Sequence, residues 1–275
     1  MYQIFPDRFS RSEKGSEKKL PEWAVAADWG EEVSGRGPGT AEQLFGGDLD
    51  GIANRLDYLG SLGIEVIYLT PFFPARSNHR YDASSFEEVD PVLGGNEALE
   101  RLVMLAHQKG FKVLGDLTSN HSGAAHEWFI EASQNTDSPE RDFYYFREDG
   151  SYESWFGVPS LPKFNWASPE LRNRFIQNKD SVVAKWLSKP YELDGWRIDV
   201  ANMTGRFEAQ DMFEEIGSEI RSRMDQINPD TLLMAEYTSD ASMHVTGQSW
   251  QSAMTYSNFS KPVLRWLARP DAETK

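Results

Sequence analysis

Short apolar runs alternate with amphipathic helical patterns along nearly the whole chain, and this alternation limits the possible folds more than any other feature. The runs are Tyr2–Phe5, Glu65–Thr70, Phe111–Gly115, Gly195–Val200, Thr231–Glu236 and a weaker one near Ala253–Tyr256. Between them, helical spacing links Ile52, Leu56, Leu59 and Leu62 behind a capping Asp48, with Gly63 as the stop. Asn96 is read as the cap of a second helix carrying Leu99, Leu102, Val103 and Ala106, closed by Gly110. Ser168-Pro169-Glu170 opens a third helix, with Leu171, Phe175, Val182, Trp186 and Leu187 as its stripe. Phe213, Ile216 and Ile220 mark a fourth.

Strands joined by helices are parallel, with right-handed crossovers. An eight-stranded (β/α)8 TIM barrel takes about 250 residues without insertions. This chain has 275 residues, and two long stretches interrupt the pattern. Residues 9–43 are rich in Gly, Ser, Glu and Lys and read as a loop. Residues 122–166 show no comparable amphipathic helix or buried strand, yet they hold many aromatic residues, from Trp128 to Trp166. An insertion of that length is a lid or a small subdomain. The expectation is an α/β chain of TIM-barrel type, incomplete at about six β/α units, with an inserted subdomain after strand three. Its parts are 1–121 (strands one to three), 122–166 (the aromatic-rich insertion) and 167–275 (strands four to six).

Charge and composition narrow the function classes. Acidic residues outnumber basic ones 43 to 28, a formal charge of −15. Nucleic-acid backbones and anionic membrane surfaces call for clustered Lys and Arg, so neither is expected as a partner. The absence of cysteine excludes disulfides, thiolate catalysis and Cys-ligated zinc. No stretch approaches the roughly 20 apolar residues of a membrane span. The start, Met1–Phe5, lacks the basic and apolar regions of a secretory signal, which points to the cytoplasm. A chain that begins inside a strand is also expected to be part of a longer protein.

In a parallel barrel the reactive groups gather at the C-terminal ends of the strands. Strand three ends Asp116-Leu-Thr-Ser-Asn120-His121, strand four Arg197-Ile-Asp199 and strand five Ala235-Glu236. Strand two is followed by Asn78-His-Arg-Tyr81-Asp82. Asp199 and Glu236 hold corresponding places on consecutive strands, which lie about 4.8 Å apart, so their carboxyls can approach to about 5–6 Å. That is the spacing of a retaining glycosidase pair. Arg197, two residues before Asp199, shares its face and favours its ionised form. The apolar neighbours of Glu236 in sequence would raise its pKa, as a proton donor requires. The same residues also suit an Arg–Asp ion pair closing a strand end, with Glu236 capping the next helix.

Together, these segments resemble the α-amylase family of glycoside hydrolases (family 13). Asp116–His121 is similar to its first signature, Gly195-Trp-Arg-Ile-Asp-Val-Ala-Asn202 to its second, and Leu161-Pro-Lys-Phe-Asn165 to the signature near the end of its inserted domain. Tyr2–Phe9, Gly46–Gly51 and Ser77–Asp82 also fit, in order, over almost the whole chain. Val200-Ala-Asn202 and the Leu-Pro-Lys-Phe-Asn run resemble the neopullulanase, cyclomaltodextrinase and maltogenic amylase branch, although Met203 stands where that branch has Glu.

The resemblance implies retaining hydrolysis of α-glucosidic bonds in maltooligosaccharides, cyclodextrins or related α-glucans. Asp199 would be the nucleophile and Glu236 the acid/base. Tyr81 would stack under the sugar, His121 would hold its hydroxyls, and Asp82 would support His121 and Arg197. Asn120 and Asn202 complete the implied substrate-binding set, with aromatic residues of the insertion as cleft walls. No cofactor is implied, and no metal ligands are assigned; a structural Ca2+ near Asn120, as in several relatives, is an option. The family's His-Asp signature after strand seven has no counterpart here, since the only His after Glu236 is His244, followed by Val245. The branch's N-terminal β-domain is missing too. A chain truncated before the last two strands is expected. The alternatives are a carbohydrate-binding fragment without turnover and a glucosyltransferase or isomerase of the same family.

Overall fold

The computed structural model describes residues 1–13 and 19–268. Residues 14–18 of the expected 9–43 loop and residues 269–275 of the last part lie outside the described residues. Six parallel strands form one sheet: β1 Tyr2–Ile4, β2 Val66–Leu69, β3 Lys112–Thr118, β4 Gly195–Asp199, β5 Leu232–Tyr237 and β6 Ser252–Thr255. Their spatial order equals their sequence order. A sheet wound in one direction has no switch point, so it curls toward a barrel rather than spreading as a doubly wound sheet. The incomplete-barrel expectation therefore holds, with the strands within a few residues of the sequence runs.

Period-two alternation gives this sheet two unlike faces. Ile67, Leu69, Val113, Leu117, Trp196, Ile198, Leu233 and Ala235 point outward and are buried with the helices in one large core. Tyr68, Leu114 and Met234 point inward and form a small second cluster, with Val66, Leu232 and Met254 half-buried around it. Gly195 starts β4 at φ 152°, where a Cβ would stand 2.1 Å from the carbonyl oxygen of Leu232, so no larger residue lets β4 and β5 pair there.

The helices differ from the sequence reading in detail. The first is two pieces, α1 Leu49–Ala53 and α2 Leu56–Ser61; Asp48 caps α1 by accepting from Gly51 N–H at 2.6 Å. The second, α3, spans Gly95–Gln108 and starts from Gly94 in a left-handed conformation, not from Asn96. The Asn96 side chain instead accepts from Val89 N–H at 2.8 Å, bracing the loop before the helix. The insertion does contain an amphipathic helix, α4 Glu127–Gln134, which buries Trp128, Phe129 and Ala132. Its eight residues are too few for a clear 3.6-residue pattern, and aromatic residues on both sides hide it. The expected third helix is interrupted. Ser168 caps α5 Pro169–Arg172, a wide turn follows at Asn173–Gln177, and Ser181 caps a separate α6, Val182–Leu187. The fourth, α7, is Phe213–Ile227, and α8, Lys261–Leu267, follows the sheet.

The buried aromatics of residues 122–166, including Phe143, Tyr144, Phe164 and Trp166, join the same core as the sheet's outer face. The N-terminal loops are tied down through Asp7. Its carboxylate is fully buried and accepts from Phe45 N–H and Gly46 N–H. Gly47 is required beside it, because a Cβ there would lie 2.2 Å from the carbonyl oxygen of Pro6.

Candidate active site

The inward face of the sheet turns from apolar to charged toward its C-terminal end. Asp116 on β3 stands beside Arg197 on β4, and Thr118 stands beside Asp199. Ile198 pairs with Ala235, a register that carries Asp199 alongside Glu236 on β5. One guanidinium joins all three acids. Arg197 Nη1 donates to Asp116 Oδ1 and to Asp199 Oδ1, both at 2.8 Å, and Nη2 lies 2.9 Å from Glu236 Oε2. Its Nε faces Met254 Sδ at 3.4 Å.

Just past Asp199 the backbone bends sharply. Val200 adopts φ 45° and ψ 39°, a left-handed conformation that a β-branched residue takes only when its surroundings impose it. The bend aims Val200 N–H at Glu236 Oε2, 2.8 Å away. The Tyr256 hydroxyl approaches the other oxygen at 3.5 Å. The Glu236 carboxylate therefore sits among cationic and hydrogen-bond donors. Of the apolar border expected from its sequence neighbours, only Met234 shares its face, while Ala235 and Tyr237 point to the opposite face of the strand.

Three carboxyls around one cation make an electrically overloaded site. Burial raises the Asp199 pKa well above its ordinary value, and the neighbouring Asp116 raises it further. Arg197 favours the ionised form, as expected, but burial and the neighbouring acid outweigh it. Burial also raises Asp116, against the pull of Arg197, Tyr68 and Tyr81. Burial opposes the charge on Arg197, yet Asp116 and its other partners keep it protonated.

Arg197, Asp199 and Glu236 line a cleft of about 790 Å³ with Tyr81, Asp82 and His121, and Asp116 lies buried beneath them. The Tyr81 hydroxyl donates to Asp116 Oδ2 at 2.9 Å, and its ring lies near His79, 5.8 Å between centroids and 28° from parallel. Burial pushes the His121 pKa down to about 3, with Lys163 adding to the effect, so the imidazole is neutral. Its Nε2 has no hydrogen-bond partner although it is buried, and the residue lines the cleft.

Two of the implied roles change. Asp82 accepts from Arg76 N–H and from the Ser77 hydroxyl, with no hydrogen bond to His121 or Arg197. Asp116 holds Arg197 instead. Asn120 and Asn202 are not among the residues that line the cleft. Asn120 Oδ1 accepts from the buried ammonium of Lys163, which also donates to the carbonyl of Met203 at 3.0 Å. Asn202 follows the bend at Val200, and its carbonyl accepts from Arg206 Nη1. Of the aromatic residues in the insertion, Trp155 reaches the cleft, whereas Trp128, Phe129, Phe143, Phe164 and Trp166 are buried in the core.

Sequence reasoning gave Asp116 no role. Its signal was there: an acid two residues from the end of an apolar strand, on the face that also carries Arg197. Trp155 lines the cleft as the insertion aromatics were expected to, whereas Gln3, His79 and Tyr256 also line it and were given no role. Tyr256 closes the weakest of the six runs, where nothing marks it as a cleft residue.

Residues 3–273 match the family described as Alpha amylase, catalytic domain. The chain is similar to a cyclomaltodextrinase from Geobacillus thermopakistaniensis (strain MAS1), with 34% identity over 98% of this chain and 43% of the relative. It is also similar to an intracellular maltogenic amylase from Bacillus subtilis, with 33% identity over 97% of this chain and 42% of the relative. Among solved structures, the cyclic alpha-maltosyl-(1→6)-maltose hydrolase from Arthrobacter globiformis aligns with a TM-score of 0.81 and 27% identity, covering 96% of this chain and 56% of that one. The chain spans less than half of the length of the curated relatives named here.

Proposed function

The chain belongs to the alpha-amylase catalytic-domain family, and on that premise we propose that it is a retaining α-glucoside hydrolase acting on maltooligosaccharides, cyclodextrins or related α-glucans. The observation that carries this reading is the placement of Asp199 and Glu236 on adjacent strands, held by one guanidinium in an open cleft.

Asp199, once ionised, attacks the anomeric carbon while Glu236 gives its proton to the departing glycosidic oxygen, so one C–O bond forms as the other breaks. Glu236, now a carboxylate, takes a proton from water. The resulting hydroxyl displaces Asp199, and the sugar leaves with its original anomeric configuration. Tyr81, whose hydroxyl is fixed by Asp116, offers its ring to the sugar's apolar face. Neutral His121 and Asp82 line the same pocket beside that ring. Asn120 and Asn202 act one layer back, by holding the loops that shape the wall.

Asp199→Asn and Glu236→Gln are each expected to lower turnover of maltotriose at least about a thousandfold. Unchanged hydrolysis by either variant would end the assignment. The anomer first released, followed by NMR, reports retention. Sugar-product analysis separates hydrolysis from glucosyl transfer or isomerisation. Calorimetric binding of maltooligosaccharide with no turnover would favour a carbohydrate-binding role instead.

We also propose that the site near Asn120 works without calcium. The support is chemical: the Lys163 ammonium already occupies the Asn120 amide oxygen and the Met203 carbonyl, oxygens of the kind a hard cation takes. Chelator is then expected to leave the melting temperature unchanged, whereas Lys163→Met lowers it. A chelator-induced drop restored by Ca2+ would refute the proposal. Among the described residues no helix is long and apolar enough to cross a membrane. A cytoplasmic setting is proposed, supported by the relative named as intracellular.

A further inference from the structure

The inserted segment contributes to two cavities. It carries Trp155 and Leu161 into the cleft. It also lines a separate cavity of about 410 Å³, whose lining shares no residue with the cleft. Two rings floor this second cavity. Tyr145 of the insertion and Phe207 of the short hairpin after β4 lie 4.2 Å apart between centroids, inclined by 35°. Both are half-buried, so part of each ring remains open to a ligand. The pair is held in place before any ligand arrives. The Tyr145 hydroxyl donates to Gln210 Oε1 at 3.0 Å, and Arg206 and Phe207 pair with Asp211 and Gln210 in the hairpin.

Charged groups rim the rings. Arg147 and Glu153 form an ion pair at 2.7 Å in the lining, and Glu208 of the hairpin stands exposed in it. Glu208 takes φ 51°, a left-handed conformation costly for a non-glycine residue, at the lip of the cavity.

Apolar ring faces bordered by planar charged side chains suit a pyranose, which pairs C–H faces with a rim of hydroxyls. A bare apolar cavity would favour a hydrophobic side chain, and a purely charged one an ion. We infer that the Tyr145–Phe207 platform is a second α-glucan binding site outside the cleft, engaging a maltooligosaccharide unit by stacking on the rings while its hydroxyls bond to Arg147, Glu153 and Glu208. The choice of α-glucan rests on the proposed function of the cleft, which the same segment also lines. A site there holds a long glucan at the surface and raises its local concentration at the cleft.

The test is calorimetric titration of the Asp199→Asn chain with maltoheptaose, repeated with Tyr145→Ala and Phe207→Ala added. Two sites are expected in the first protein. In the second, the platform site weakens about tenfold or more while cleft affinity holds. Phe207→Leu, which keeps apolar volume but removes the flat ring, should lose the platform site with an unchanged melting temperature and so separates stacking from misfolding. Binding at the cleft alone, or a second site that survives all three platform substitutions, overturns the inference and leaves the cleft reading standing. Binding at the platform alone supports the inference and sinks the cleft reading. Binding at neither overturns both.

Discussion

Asp116 shows how a residue that touches no substrate can still govern a site. It holds Arg197 and Tyr81 and, after burial, is the largest influence raising the Asp199 pKa. Asp116→Asn removes that negative neighbour. The acid limb of the kcat/KM profile is then expected to move to lower pH, while kcat/KM on the plateau falls by about 10²-fold as Arg197 and Tyr81 loosen. A limb that stays in place would show that Asp116 does not set the ionisation of Asp199. An acid with a raised folded pKa binds its proton more tightly in the native state, so it destabilises the fold increasingly as pH rises above its unfolded value. Asp199→Asn should therefore stabilise the chain at neutral pH by about 0.5–2 kcal/mol, with the gain shrinking toward pH 4, read from urea midpoints. Two buried histidines act in the opposite sense. Burial lowers both His121 and His126 to about 3, so stability is lost as pH falls from their unfolded value near 6.5 toward 3. His126 lies away from the cleft and caps α4 through Nδ1. His126→Asn keeps a capping side chain and should flatten the acid slope by up to about 1.4 kcal/mol per pH unit. An unchanged slope would contradict it.

At the scale of elements, legibility followed contrast. The strands were readable because continuous apolar runs stand between polar turns, and their charged ends were readable because a carboxylate is conspicuous there. Helix starts were readable where a side-chain oxygen does the capping, at Asp48 and Ser168, though the Ser181 cap inside the expected third helix was not. The reading failed at Gly94, where backbone conformation alone starts α3, and at Asn173–Gln177, where apolar spacing continues across a break in the helix. The Val200 bend was equally hidden. Nothing in Asp-Val-Ala announces a left-handed valine; the surrounding contacts force it. Ser181 offers a direct check, since its hydroxyl accepts from Ala184 N–H at 3.4 Å at the start of α6. Ser181→Ala is expected to cost about 1 kcal/mol by chemical denaturation.

The whole molecule presents features that no single element reveals. β1 and β6 are the two ends of the described sheet, and α8 follows β6 with Leu264, Trp266 and Leu267 exposed, Trp266 by 72%. Open strand edges and adjoining apolar surface favour association. Light scattering is expected to show concentration-dependent assembly of this chain that decreases in Trp266→Lys; equal assembly in both would place the contact elsewhere. The one-directional winding of the sheet has a further result. The cleft takes Gln3 from one end of the described chain and Tyr256 from the other, with every strand between them inserted in turn. During ribosomal synthesis, which delivers the amino terminus first, the cleft stays without Tyr256 until that residue has emerged. A cut almost anywhere between Gln3 and Tyr256 separates groups that must meet.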